Sequence, residues 1–131
     1  MTATVGDARY EIEFRHGTVD VPAGDHAEER EATTCNIRLV GEAKHREEWP
    51  IIARGSVVRH FRDVPNKEAA RKAALLKAVY EKWPKFTPLF ADDTVAIEKI
   101  KAMRAARKAL LSAYFNRKKG AGKRVGIATH L

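Results

Sequence analysis

The strand-like stretch Ile51-Ile-Ala-Arg-Gly-Ser-Val-Val-Arg-His-Phe61 leads through Asp63-Val-Pro-Asn66 into Lys67-Glu-Ala-Ala-Arg-Lys-Ala-Ala-Leu-Leu-Lys-Ala-Val-Tyr-Glu-Lys-Trp83. The first part reads as a strand, and its interior Gly55 predicts a bulge or a close approach by another backbone or a ligand. Asp63 and Asn66 are both suited to cap a helix, and Pro65 suits a helix start. From Lys67 to Trp83 there is neither Gly nor Pro. Ala69, Ala73, Leu76, Tyr80 and Trp83 recur at steps of four and three, which predicts one apolar stripe that Pro84 ends. Small alanines come first and large aromatics last, so the helix can approach a sheet closely at its start. The hydrophobic period changes here from two to 3.6, and that change decides the fold class.

Upstream, Tyr10-Glu-Ile-Glu-Phe-Arg15 alternates, with Tyr10, Ile12 and Phe14 on one face. Gly17 precedes a second alternating run, Thr18–Val21, and the pair predicts a hairpin. Residues 22–32 are polar and read as an exposed connection. Thr33–Val40 is a further strand with Cys35, Ile37 and Leu39 inward, and the charged segment from Gly41 to Trp49 reads as a long turn. Downstream, residues 85–93 form a connection, and Asp92 or Asp93 caps a second helix to about Asn116. Its inward residues are Ile97, Ile100, Met103, Ala106, Leu110 and Tyr114. The expectation is an α+β fold: an N-terminal antiparallel sheet of about four strands, covered on one face by two long C-terminal helices. Residues 1–116 form the single domain, and 117–131 a basic, glycine-loosened flexible tail.

The 131 residues carry a formal net charge of +8, unevenly distributed. Residues 1–65 hold 9 basic and 12 acidic side chains, whereas 66–131 hold 16 basic and 5 acidic. After Glu98 no acidic residue occurs, while ten Lys or Arg follow between Lys99 and Arg124. Such a field favours an anionic partner. The single cysteine, Cys35, makes no intrachain disulfide, which fits a reducing cytoplasm. No apolar run approaches the ~20 residues of a membrane span, and the N-terminus lacks a secretory pattern. The expected location is cytoplasmic, with no membrane partner.

Enzyme motifs are missing: no His-Glu-x-x-His, no Cys-x-x-Cys and no Gly-x-Ser-x-Gly. The five histidines make no metal-ligand spacing. Gly120-Ala-Gly-Lys-Arg124 lacks the hydroxyl residue and the strand–helix context of a phosphate loop. Catalysis, a metal and a cofactor are therefore not expected. Binding chemistry is better represented. Lys101, Arg104 and Lys108 form a row along the second helix, and Lys67 and Arg71 lie one turn apart at the start of the first. A helix N-terminus adds backbone N–H groups that suit a phosphate. Phe61 and Phe115 are candidates to stack on a base.

The segment from Gly55 to Val79, with Thr33-Thr-Cys35 before it and Ala113-Tyr-Phe-Asn-Arg117 after it, resembles the small phage proteins of the anti-Thoeris sponge family. That resemblance implies a phage anti-defence protein that binds and sequesters a cyclic ADP-ribose type signal without cleaving it, in the host cytoplasm, as a homodimer or higher homo-oligomer. Phe61, Asn66, Arg71, Arg104 and Lys108 would then contact the ligand. The chain departs from the family pattern at Pro65, Ala70 and Leu111, and at Lys108, where a second arginine belongs. Lysine keeps the charge and loses the bidentate fork. The segment Lys67-Glu-Ala-Ala-Arg71 with Ala73, Ala74 and Ala78 is also similar to the last helix of double-stranded RNA-binding domains. This makes nucleic acid the alternative partner, although those domains open with a helix and this chain opens with strands.

Overall fold

The computed structural model describes residues 1–59 and 66–130, with side chains through residue 116. Strands β1 (Thr2–Val5), β2 (Ala8–Ala23), β3 (His26–Leu39) and β4 (Ile51–Val58) form one antiparallel sheet in the order β1-β2-β3-β4. Helices α1 (Lys67–Lys82) and α2 (Thr94–His130) follow. The fold is α+β, as the change of hydrophobic period predicts.

Two-residue turns join the first three strands, Gly6-Asp7 and Gly24-Asp25, with φ of 59° and 69° at the glycines. A glycine at the first turn position in this left-handed region is what a type II′ hairpin calls for. The hairpin therefore turns at Gly24 and not near Gly17. Gly17 sits inside a 16-residue strand, paired with Ala32, and the supposed connection 22–32 is the end of β2, the turn and the first half of β3. Alternation on both sides of Gly17 marks one continuous strand. The remaining strand is the short N-terminal β1, whose Ala3 pairs with Tyr10 and is buried.

One face of the sheet carries Ile12, Cys35, Ile37 and Ala53 into the core, where both helices cover it. α1 lies over β3 and β4, and α2 over β1. Edge-to-face contacts Tyr10–Trp83 (5.4 Å) and Phe14–Tyr114 (5.6 Å) join β2 to both helices. Gly55 allows the closest approach: a Cβ there would lie 2.3 Å from the Ala74 carbonyl oxygen. The predicted close approach is thus by the backbone of α1, and the register irregularity falls instead at Ile37/Arg38, opposite Ile51 and Ala53. Leu39, expected inward, lies beyond this irregularity and is exposed.

α1 begins and ends where its capping residues place it. The Asn66 carboxamide oxygen accepts the Ala69 N–H at 3.0 Å, and Trp83 forms the C-terminal cap. The buried face is Ala74, Leu75, Ala78 and Val79, rotated from the expected stripe: Ala69 and Tyr80 are exposed and Leu76 half-buried. α2 is capped by Asp93, whose carboxylate accepts the Ala96 N–H at 3.0 Å. Ala106, Leu110 and Tyr114 are buried, with Met103 packed beside them. The Tyr114 hydroxyl donates to Glu68 at 2.7 Å, joining α2 to the first turn of α1. The backbone of α2 stays helical to His130, past the expected end near Asn116 and through Gly120, Gly122 and Gly126; no proline interrupts the segment. Among the described residues no helix is long and apolar enough to cross a membrane.

The opposite face of the sheet is polar yet partly covered by the 41–50 segment. Glu13 accepts from Arg15 at 3.0 Å and Asn36 at 3.2 Å, and Arg54 donates to Asn36 at 2.8 Å. Arg38, buried, donates to the Trp49 carbonyl at 2.9 Å.

Candidate functional site

The turn after α1 and the exposed flank of α2 enclose a groove of about 630 Å³. Four cationic side chains line it, Lys85, Arg104, Arg107 and Lys108, together with the rings of Tyr80, Phe86 and Phe115. Ile100 and Leu111 supply apolar wall, and Thr87 and Ser112 supply hydroxyls. No carboxylate lines the groove among the described residues. The volume lies within the ~300–1,000 Å³ typical of small-molecule sites.

Arg107 is the fixed point. It is buried (7% exposed), donates through Nη1 to the carbonyls of Trp83 (2.9 Å) and Pro84 (3.3 Å), and stacks 5.3 Å from the Tyr80 centroid. Helix α2 thereby grips the frayed carbonyls at the end of α1, which have no intrahelical partner. The remaining donors, Nε and Nη2, have no protein partner among the described residues. Lys85 lies 5.7 Å from the Tyr80 centroid and Lys99 lies 5.8 Å from that of Phe86. The rings thus hold cations near their faces without neutralising them. A planar anion with an aromatic base would meet both a stacking surface and charge-assisted donors here.

In comparisons with family models, curated proteins and solved structures, nothing matches the chain.

Of the residues singled out in the sequence, the groove brings together Arg104, Lys108 and Phe115. Lys101 belongs to the same helical row but does not line the groove; it is exposed and pairs with Glu98 at 3.6 Å. Asn66 and Arg71 are not brought to this site. They stand at the opposite end of α1, where the Asn66 side chain caps the helix and Arg71 lies 4.0 Å from Glu68. Phe61 falls outside the described residues.

Asn66 and Lys67 line a second cavity of about 860 Å³ between α1 and the strands, with His16, Thr33, Val57 and Ala73. His16 hydrogen-bonds Thr33 Oγ1 at 2.9 Å. Desolvation, then the charges of Arg71 and Lys67, hold its imidazole below the ordinary value, so the neutral ring is favoured. Among the described residues no three His, Cys, Asp or Glu side chains are grouped to hold a metal. Burial, with the Glu13 charge, pushes the Cys35 thiol up to about 12, which leaves it a poor nucleophile.

The sequence offers Tyr80 only as part of the apolar stripe of α1 and does not single out Arg107, yet both line the groove. Arg107 lies four positions from both Met103 and Leu111, so helical geometry places it on the flank of the buried stripe. An arginine there must find buried acceptors or face a cavity, and that was the available signal.

Proposed function

We propose that this protein captures a nucleotide-derived phosphate anion of the cyclic ADP-ribose type in the groove between α1 and α2, and sequesters it without cleaving it. One observation carries the reading: four cations and three aromatic rings share one groove that no carboxylate lines among the described residues. Phosphate would be held by Arg107 and Arg104, whose guanidinium forks match its oxygens, with Lys85 and Lys108 adding charge. Tyr80 and Phe115 would flank the base. The resemblance to the anti-Thoeris sponge family supports a phage anti-defence role for such capture, and its departure at Lys108 is offset by Arg107 nearby.

Calorimetric titration with cyclic ADP-ribose isomers and cyclic dinucleotides at low salt tests the reading, with the bound compound recovered and its integrity checked by chromatography. Saturable binding and intact ligand are expected. Absence of binding to every compound overturns the proposal.

A nucleic-acid reading is favoured by a different observation, the helical continuation of α2 to His130 with ten Lys or Arg and no acidic residue after Glu98. It predicts affinity for any duplex that falls steeply with salt and is weakened about equally for every sequence by truncation from Lys118. Capture of a compact ligand in the groove predicts indifference to that truncation.

A further inference from the structure

Among the described residues the three most exposed large apolar side chains are Leu89 (93%), Val95 (79%) and Phe90 (68%), and they fall within seven positions of one another. They occupy the connection after α1 and the first turn of α2, at the end of α1 remote from Asn66 and about 24 Å from it along the helix. Pro84 and Pro88 restrict the backbone there, and the Asp93 N–H donates to the Phe90 carbonyl at 3.2 Å to close a turn. The apolar side chains are thus presented on a defined loop. A side chain as open as Leu89 lines no groove; it stands at an apex.

The surroundings of this apex are cationic. Between Lys82 and Lys108 there are seven Lys or Arg and three carboxylates. Lys99 lies over the ring of Phe86, itself 38% exposed, and Lys85 lies over that of Tyr80. Of the carboxylates, Asp93 is taken up by the Ala96 N–H and Glu98 pairs with Lys101, which leaves the exposed Asp92 as the opposing charge.

We propose that this apex docks on an anionic lipid bilayer, with Leu89 and Phe90 inserted at the interface and Lys85 and Lys99 against the headgroup phosphates. Exposed apolar side chains gathered in one place mark an interaction surface. A bilayer is the occupant that shape and charge favour: a fluid interface receives a protruding Leu-Phe pair without a matching pocket, and anionic headgroups attract the flanking lysines. The lysine stems lie along the apolar boundary while their ammonium groups stay in water. No helix among the described residues is long and apolar enough to span a membrane. A peripheral contact needs no span, so the missing span behind the expectation of no membrane partner does not bear on it. Leu89, Phe90, Lys99 and Lys101 do not line the α1–α2 groove, and docking requires no nucleotide.

Co-sedimentation with vesicles of phosphatidylcholine alone, and of phosphatidylcholine with phosphatidylglycerol, tests the proposal. The wild-type chain is expected to bind only the anionic vesicles and to be released as salt rises. L89S/F90S is expected to weaken vesicle binding about tenfold or more, because insertion is lost. It should leave the melting temperature and the nucleotide titration unchanged. K99E/K101E is expected to weaken vesicle binding by a similar factor through charge. A wild type that stays in solution with both vesicles overturns the proposal and leaves the apex to a protein partner. Anionic-vesicle binding unaffected by L89S/F90S also overturns it, since the basic helix alone then adsorbs. Nucleotide binding without vesicle binding, or the reverse, separates this inference from the ligand reading.

Discussion

Gly55 on β4 lies directly against Ala74 on α1, so close that a Cβ at position 55 would stand 2.3 Å from the Ala74 carbonyl oxygen and 2.5 Å from the Ala78 nitrogen. Both obstacles are backbone, so no rotamer change relieves the clash. Gly55→Ala must move the helix off the sheet and is expected to cost about 3 kcal/mol or more in denaturant unfolding. Gly17→Ala is the control, since its Cβ meets nothing within 4 Å. It is expected to leave stability unchanged or raise it by up to ~1 kcal/mol.

Asn66 serves the helix. Its side chain satisfies the Ala69 N–H, one of the donors that the start of α1 leaves without an intrahelical acceptor. Asn66→Ala is expected to cost about 1 kcal/mol, whereas Asn66→Asp keeps the cap. Because Asn66 lies outside the α1–α2 groove, nucleotide affinity measured by calorimetry should be the same in both variants.

Cys35 is fully buried between β2 and β4, with its thiol raised to about 12. At pH 8 the thiolate is scarce and the sulfur inaccessible. Alkylation of the folded protein by iodoacetamide should be slower than that of the denatured chain by roughly two orders of magnitude or more, limited by opening of the fold. Rapid labelling under native conditions would contradict this packing.

The order of elements was legible because strong punctuation marks it: Asn66 and Pro84 bracket α1, and Asp93 opens α2. Alternation showed that Tyr10, Ile12 and Phe14 share a face. Orientation within α1 was not legible, because Ala69, Ala70, Ala73, Ala74 and Ala78 spread small side chains around much of the helix. Only the close approach at Gly55 decides which alanines meet the sheet. The turn was misplaced for a related reason, since Gly17 and Gly24 look alike in sequence and only Gly24 adopts positive φ. The cationic row on α2 was readable from spacing alone. The separation of Asn66 and Arg71 from Arg104 and Lys108 was not, because it depends on which end of α1 meets which part of α2.

Glu13 links acid stability to the polar face of the sheet. Burial alone would raise its carboxyl, but hydrogen bonds from Asn36 and Arg15 and the charges of Arg15 and Arg38 outweigh it, so it lies below its ordinary 4.5. The unfolded chain therefore takes up this proton at higher pH than the folded one. The resulting stability is present above about pH 4.5 and is lost as pH falls through the folded value. Melting temperature measured between pH 6 and 3 should fall less steeply in Glu13→Gln than in the wild type. At pH 7 the variant should itself be less stable, because the buried Arg38 guanidinium, 3.9 Å from Glu13, loses a counter-charge.

Arg107 couples the fold to the groove, and its variants separate the two roles. Arg107→Lys keeps the charge but replaces the planar fork, whose Nη1 serves both the Trp83 and Pro84 carbonyls, with one compact ammonium that has no planar face for Tyr80. A stability loss of about 1–2 kcal/mol is expected. Nucleotide affinity should fall about tenfold, because the fork that matches two phosphate oxygens is gone. Arg107→Met should cost more affinity still, since it removes the charge. Arg104→Ala, at an exposed position of the same groove, should weaken binding while leaving stability within ~0.5 kcal/mol. If Arg107→Lys lowers stability and leaves affinity untouched, Arg107 only ties α2 to the end of α1 and the phosphate must be held by the exposed cations.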